Sequence, residues 1–204
     1  MNIDELKAQL TNSITEGLAN KFDKVNEALG NDGLYAYTLY CASGFYAPCI
    51  AASTKKSLIR IISSLQEVEN NLLESLKEQH SNLLDKFSPS SDLYAEMTAC
   101  EWEYIYNDIP EFENLDYVIS EIYEYSYEEA DEDFDVCKFL TSAILEGILK
   151  FKNSATCDNG LLLGLQFSDP SEQETSIVAD ISHQVNQAHW HNKLLSLYNE
   201  QSNS

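Results

Sequence analysis

Three histidines fall near the C-terminal end, His183, His189 and His191. Imidazole is a common metal ligand and changes charge near neutral pH. A zinc site needs three or four convergent ligands. On a helix, His189 and His191 point to different sides; on a strand they share one. No convincing fourth ligand stands nearby in sequence, so boundary histidines are the expectation and no metal site is assigned. Asp131, Asp133 and Asp135 repeat the opening of a calcium loop. Val136 stands where that loop needs glycine, and Ser142 where it needs its closing glutamate. These acids read instead as a solvated cap at a helix start. Cysteines stand at 41, 49, 100, 137 and 157, an odd number without a CxxC pair. That usage suits reduced, buried thiols in a cytoplasmic protein. Cys41 and Cys49 fall on strands that would pair, but a nucleophilic thiol needs a base and an electropositive setting. Glu101 and Glu103 share one face of a strand; paired carboxylates can cleave glycosides, yet two acids on a sheet surface are commonplace. P-loop, GxGxxG, GxSxG and HExxH motifs are all missing. The expectation is a protein that is not an enzyme and takes no cofactor.

What stands out is charge. Thirty-four acids face 12 bases, a formal −22. Phosphate binding needs clustered Lys and Arg, so nucleic acid and anionic membrane surfaces are excluded as partners. Between Lys86 and Lys138 there are 16 acids and no base. The same stretch is rich in tyrosine, a residue favoured at interfaces because a rigid ring covers area at low entropic cost. Acids beside such rings would steer a cationic partner. The candidate contact residues are Glu101, Glu103, Tyr123, Glu124, Tyr125, Tyr127, Glu128, Glu129, Asp131, Glu132 and Asp133. Tyr123, Tyr125 and Tyr127 alternate with Glu124 and Ser126, which leaves some of these rings outside any one helical face. The competing reading puts the rings in the core, with the acids as their solvated backs.

The elements that would position these residues follow from periodicity. Leu6, Leu10, Ile14, Leu18, Phe22 and Val25 mark a helix over 3–28, stopped by the glycines of GNDG. LYAYTLYCA and FYAPCIAAS, around Ser43–Gly44, read as a β-hairpin. Pro48 places its second strand at a sheet edge or a bulge. Thr54 caps a helix predicted over 55–87, about 50 Å long at 1.5 Å per residue. Residues 93–106 contain a third strand, with Trp102, Tyr104 and Tyr106 on one side. Helices follow from Pro110 and over 133–152. LLLGLQF, a continuous apolar run, reads as a central buried strand. A last helical region follows, interrupted at VNQ, and residues 200–204 form a loose tail. The result is an α+β chain of one domain, 1–204, with a mostly antiparallel four-stranded sheet in the order α-β-β-α-β-α-α-β-α. The polar N-terminus is no signal peptide, and the apolar runs are too short for a membrane span. A cytoplasmic protein is expected.

The hairpin with Tyr35, Ala36 and Tyr37, the cap at Ala52, Ser53 and Thr54, and the pair Glu101–Trp102 resemble the bacterial domain of unknown function 4303. Ser53 stands where that pattern carries asparagine. The resemblance implies a role in bacterial toxin systems, as an immunity protein, and carries over no catalytic residues. A basic toxin domain is then the expected partner, with an acidic face neutralising its phosphate-binding cleft. The alternatives are a metal-dependent enzyme using the C-terminal histidines, or a module that dimerises through the long helix 55–87.

Overall fold

The computed structural model describes residues 2–79, 92–128, 133–154 and 160–202. Helix α1, Ile3–Leu29, opens where the Asn2 side chain accepts the Asp4 N–H at 3.0 Å. Its apolar stripe, Leu6 through Val25, is buried. A short turn then ends at Gly33, whose φ of 77° is left-handed; only glycine enters that region without steric cost.

Strands β1, Leu34–Cys41, and β2, Cys49–Thr54, form an antiparallel hairpin. Thr54 caps α2, Lys55–Gln79, its hydroxyl accepting the Ser57 N–H at 3.0 Å. The predicted continuation of α2 to residue 87 lies outside the described residues. Next come α3, Asp92–Met97, a turn at Ala99–Glu101, and β3, Tyr104–Tyr106. Another turn, Pro110–Phe112, precedes α4, Leu115–Glu128. Then follow α5, Val136–Ser154, β4, Leu162–Phe167, α6, Glu172–Val185, and α7, Ala188–Ser202.

The fold is α+β around one four-stranded sheet in the order β3-β2-β1-β4. It departs from the expected sheet in four ways. First, the sheet is mixed, because β4 runs parallel to β1. A tight turn forces neighbouring strands antiparallel, but β4 returns through a long helical connection and is free of that rule. Second, β2 is central: it pairs with β1 on one side and β3 on the other. Pro48 lies just before the strand, so its missing N–H costs the ladder nothing. Third, β4 is an edge strand. Its apolar run reflects cover rather than position: α5 and α6 pack on it, and every residue but Gln166 is buried. Fourth, the third strand is shorter than predicted, because α3 and a turn take up most of 93–106. The C-terminal helix does break at Asn186–Gln187, as VNQ suggests. Helix α7 continues to Ser202, into the expected tail.

The two sheet faces carry different helices. Tyr37 points to α1 and α5, its ring against Phe22 and Phe151 and its hydroxyl donating to the Leu18 carbonyl at 2.8 Å. A bulge at Tyr35 turns that ring to the other face, where it stacks on Trp190 of α7 and meets Trp102 edge-on. Among the described residues, no helix is long and apolar enough to cross a membrane.

Candidate protein-binding face

Helix α4 has two opposed stripes. Leu115, Val118, Ile119 and Ile122 are buried, against α1 among others. On the opposite side, spacings of three and four align Tyr117, Glu121, Glu124, Tyr127 and Glu128. Tyr127 is 84% exposed and Tyr117 58%. The neighbouring Glu121 carboxylate raises the pKa of the Tyr117 phenol. Among the described residues, no ion pair engages any carboxylate of α4. The sequence list missed Tyr117; its signal was the i, i+4, i+7 spacing to Glu121 and Glu124.

The other predicted tyrosines are largely used in packing. Tyr123 is half-buried and stacks on Tyr46, centroids 6.0 Å apart at 15°. Burial, with the neighbouring Cys137 and Tyr46, pushes its pKa up to about 12. Tyr125 meets Phe134 edge-on at 5.4 Å, and Phe134 leans on Phe139 at 5.3 Å. Glu124, Glu128 and Asp133 are exposed. Glu129, Asp131 and Glu132 lie outside the described residues. So do Cys157 and the opening of the apparent calcium loop. Asp135 accepts the Lys138 N–H at 3.0 Å and caps α5.

Glu101 and Glu103 do not belong to this face, nor do they share a strand face. Glu101 ends a turn, and Glu103 precedes β3. Arg60 of α2 forms an ion pair with Glu103, and that bond lowers the Glu103 pKa. A neutralised carboxylate at the β3 edge offers little attraction to a cationic partner.

A strained loop supports the α4 face. Between β1 and β2, Gly44, Phe45 and Ala47 all have positive φ, at 73°, 69° and 49°. Non-glycine residues persist there only when their surroundings over-determine the backbone. Here two carboxylates do so. Glu174 accepts the Ser43 hydroxyl and the Gly44 N–H, each at 2.8 Å, and Asp116 accepts the Ala47 N–H at 2.7 Å. Phe45 packs edge-on against Phe167 at 5.2 Å. The loop thereby holds Tyr46 under Tyr123.

The strand thiols and the C-terminal histidines are the other candidates for chemistry. Burial pushes the Cys41 thiol well above its ordinary value and the Cys49 thiol up to about 11. Such thiols stay protonated at neutral pH and are weak nucleophiles. His183 and His191 do meet, edge to face, with centroids 5.1 Å apart. Among the described residues, no three His, Cys, Asp or Glu side chains group as metal ligands. Comparison with family models, with curated proteins and with solved structures finds no match.

Proposed function

We propose that this protein is a binding module for a basic protein, acting as an immunity protein against a toxin domain. The contact runs along the outer stripe of α4 and on to Asp133 at the start of α5. One observation carries the reading: exposed tyrosines alternate with carboxylates that no ion pair of the described residues neutralises. A formal charge of −22 extends the attraction beyond the contact itself. Rings supply buried area once the partner has docked, and acids govern how often it arrives. The immunity role in particular is taken from the sequence resemblance to domain of unknown function 4303.

An immunity protein is expected beside a gene encoding a toxin with a basic C-terminal domain, and the test is association with that domain. The triple variant Glu124→Lys, Glu128→Lys, Asp133→Lys should associate roughly tenfold or more slowly at low salt. Its association rate should also depend less on ionic strength than that of the parent. Tyr127→Ala should act on dissociation instead, speeding it about tenfold if this ring is an anchor. An association rate untouched by the triple variant overturns the proposal.

A further inference from the structure

Helix α2 is 25 residues long, about 37 Å at 1.5 Å per residue. It packs on β2, on the short turn after α1 and on α3. Yet beyond Ser57 none of its described side chains is buried. Leu58, Ile61, Leu65, Val68 and Leu72 recur at intervals of three, four, three and four. That alternation is the pattern of a coiled-coil seam, in which apolar side chains every 3.5 residues keep facing a second helix. The first three are half-buried; Val68 is 63% exposed and Leu72 46%. Single exposed apolar side chains are ordinary on a surface, but a row of them along one helical face marks a contact.

Charge selects the occupant. The chain carries −22, so two copies repel wherever their acidic surfaces meet. Lys55–Gln79 does not share that excess: four bases, Lys55, Lys56, Arg60 and Lys77, balance four acids, Glu67, Glu69, Glu74 and Glu78. A neutral helix offers a basic toxin domain no attraction, and it offers a second copy no repulsion. The charges are also segregated. Three of the bases fall in the first two turns, and the acids begin at Glu67. Two helices running the same way would set Glu67, Glu69 and Glu74 against their own copies, and like charges placed together are costly. Running oppositely, each acidic half faces the basic start of the other. Lys56 and Arg60 already pair with Asp32 and Glu103 of their own chain, so charge fixes the direction and the seam supplies the buried area.

We propose that α2 is the contact of an antiparallel homodimer, in which Leu65 meets Val68 of the second copy and Ile61 meets its Leu72. The two-fold axis then crosses α2 between Gln66 and Glu67, and each copy presents the same patch, as that symmetry requires. The dimer stands whether or not α4 binds a toxin. The first test is sedimentation equilibrium of the full chain at about 0.15 M salt, where charges beyond about 8 Å are screened. Twice the chain mass is expected as concentration rises. The double variant Val68→Glu, Leu72→Glu should weaken association roughly tenfold or more, because it sets carboxylates in the seam. Both positions are exposed in the single chain, so the variant should keep the helical circular dichroism of the parent. Val68→Leu, which keeps the seam apolar, should still dimerise. Direction is read by spin labels: a label at Gln66 should lie beside its copy, and a label at Lys77 about 30 Å from its copy along the helix. A chain that stays monomeric overturns the proposal and would mean that the seam is covered within one chain. So does a dimer whose association the two glutamates leave unchanged. Equal label separations at Gln66 and Lys77 would overturn the antiparallel arrangement.

Discussion

Four donors converge on the carboxylate of Glu174. They are the Ser43 hydroxyl, the Gly44 N–H, and the Ser171 N–H and hydroxyl, at 2.8 to 2.9 Å. The residue thus joins the α6 cap to the strained loop of the hairpin. Burial alone would raise its pKa; the hydrogen bonds from Ser171, Gly44 and Ser43 outweigh it and hold the carboxyl below its ordinary value of 4.5. A pKa depressed by folding contributes stability above the unfolded value, and that contribution is lost as pH falls through the folded value. Glu174→Gln should therefore flatten the fall in unfolding free energy on acidification below pH ~4.5, as read by denaturant titration at a series of pH values. At neutral pH, Glu174→Ala should lose about 1–2 kcal/mol, because hydrogen bonds to a charged carboxylate are lost while the donors at exposed Ser43 and Ser171 turn to water. Equal stability of parent and Ala variant would show that the loop does not depend on this carboxylate. The cap itself was legible, since Ser171 and Glu174 have the spacing of a capping box. The reach of Glu174 to Ser43 was not, because 131 residues separate them.

Among the elements, α1 and α5 pack closely, and Gly147 lies in their contact. A Cβ at Gly147 would stand 2.9 Å from Ile14 Cγ2 and 3.0 Å from the Thr11 carbonyl oxygen. The Thr11 hydroxyl donates to the Ala143 carbonyl at 3.1 Å, and the Thr15 hydroxyl to Gly147 at 3.2 Å. Alanine would gain about 1 kcal/mol of helix propensity over glycine. The overlap costs more, since a backbone oxygen cannot turn aside, and overpacking typically costs 1–3 kcal/mol. Gly147→Ala should thus be destabilising by thermal or chemical unfolding, and a stabilised variant would refute the close approach. Periodicity had shown α1 and α5 as amphipathic helices. It could not show that they are partners, because a stripe specifies which side is buried and not against what. The same limit explains β4: LLLGLQF specifies burial on both faces, which covering helices provide for an edge strand as well as for a central one.

For the whole molecule the dominant quantity is the charge of −22. Like charges at this density repel one another, and folding brings them closer. At 0.1 M salt the screening length is about 10 Å. Raising NaCl from about 10 mM to about 300 mM should therefore raise the melting temperature. The exposed ion pairs, Lys150–Glu146 for example, lose little by comparison, since such pairs contribute weakly. A melting temperature that falls with salt would mean that ion pairs, and not self-repulsion, dominate the field.

By itself the sequence determined the fold class, the places of most elements, the capped start of α2, the break before α7 and the acidity of the middle of the chain. Each is a local property, written in spacing, caps or composition. Tertiary structure decided the parallel pairing of β4, the bulge that turns Tyr35 away from Tyr37, and which of the candidate residues meet. It gave Glu103 to Arg60 and Tyr123 to Tyr46, and it left Tyr117 and Tyr127 exposed beside open carboxylates. Those outcomes depend on residues far apart in the chain, whose contacts exist only after the helices have packed on the sheet.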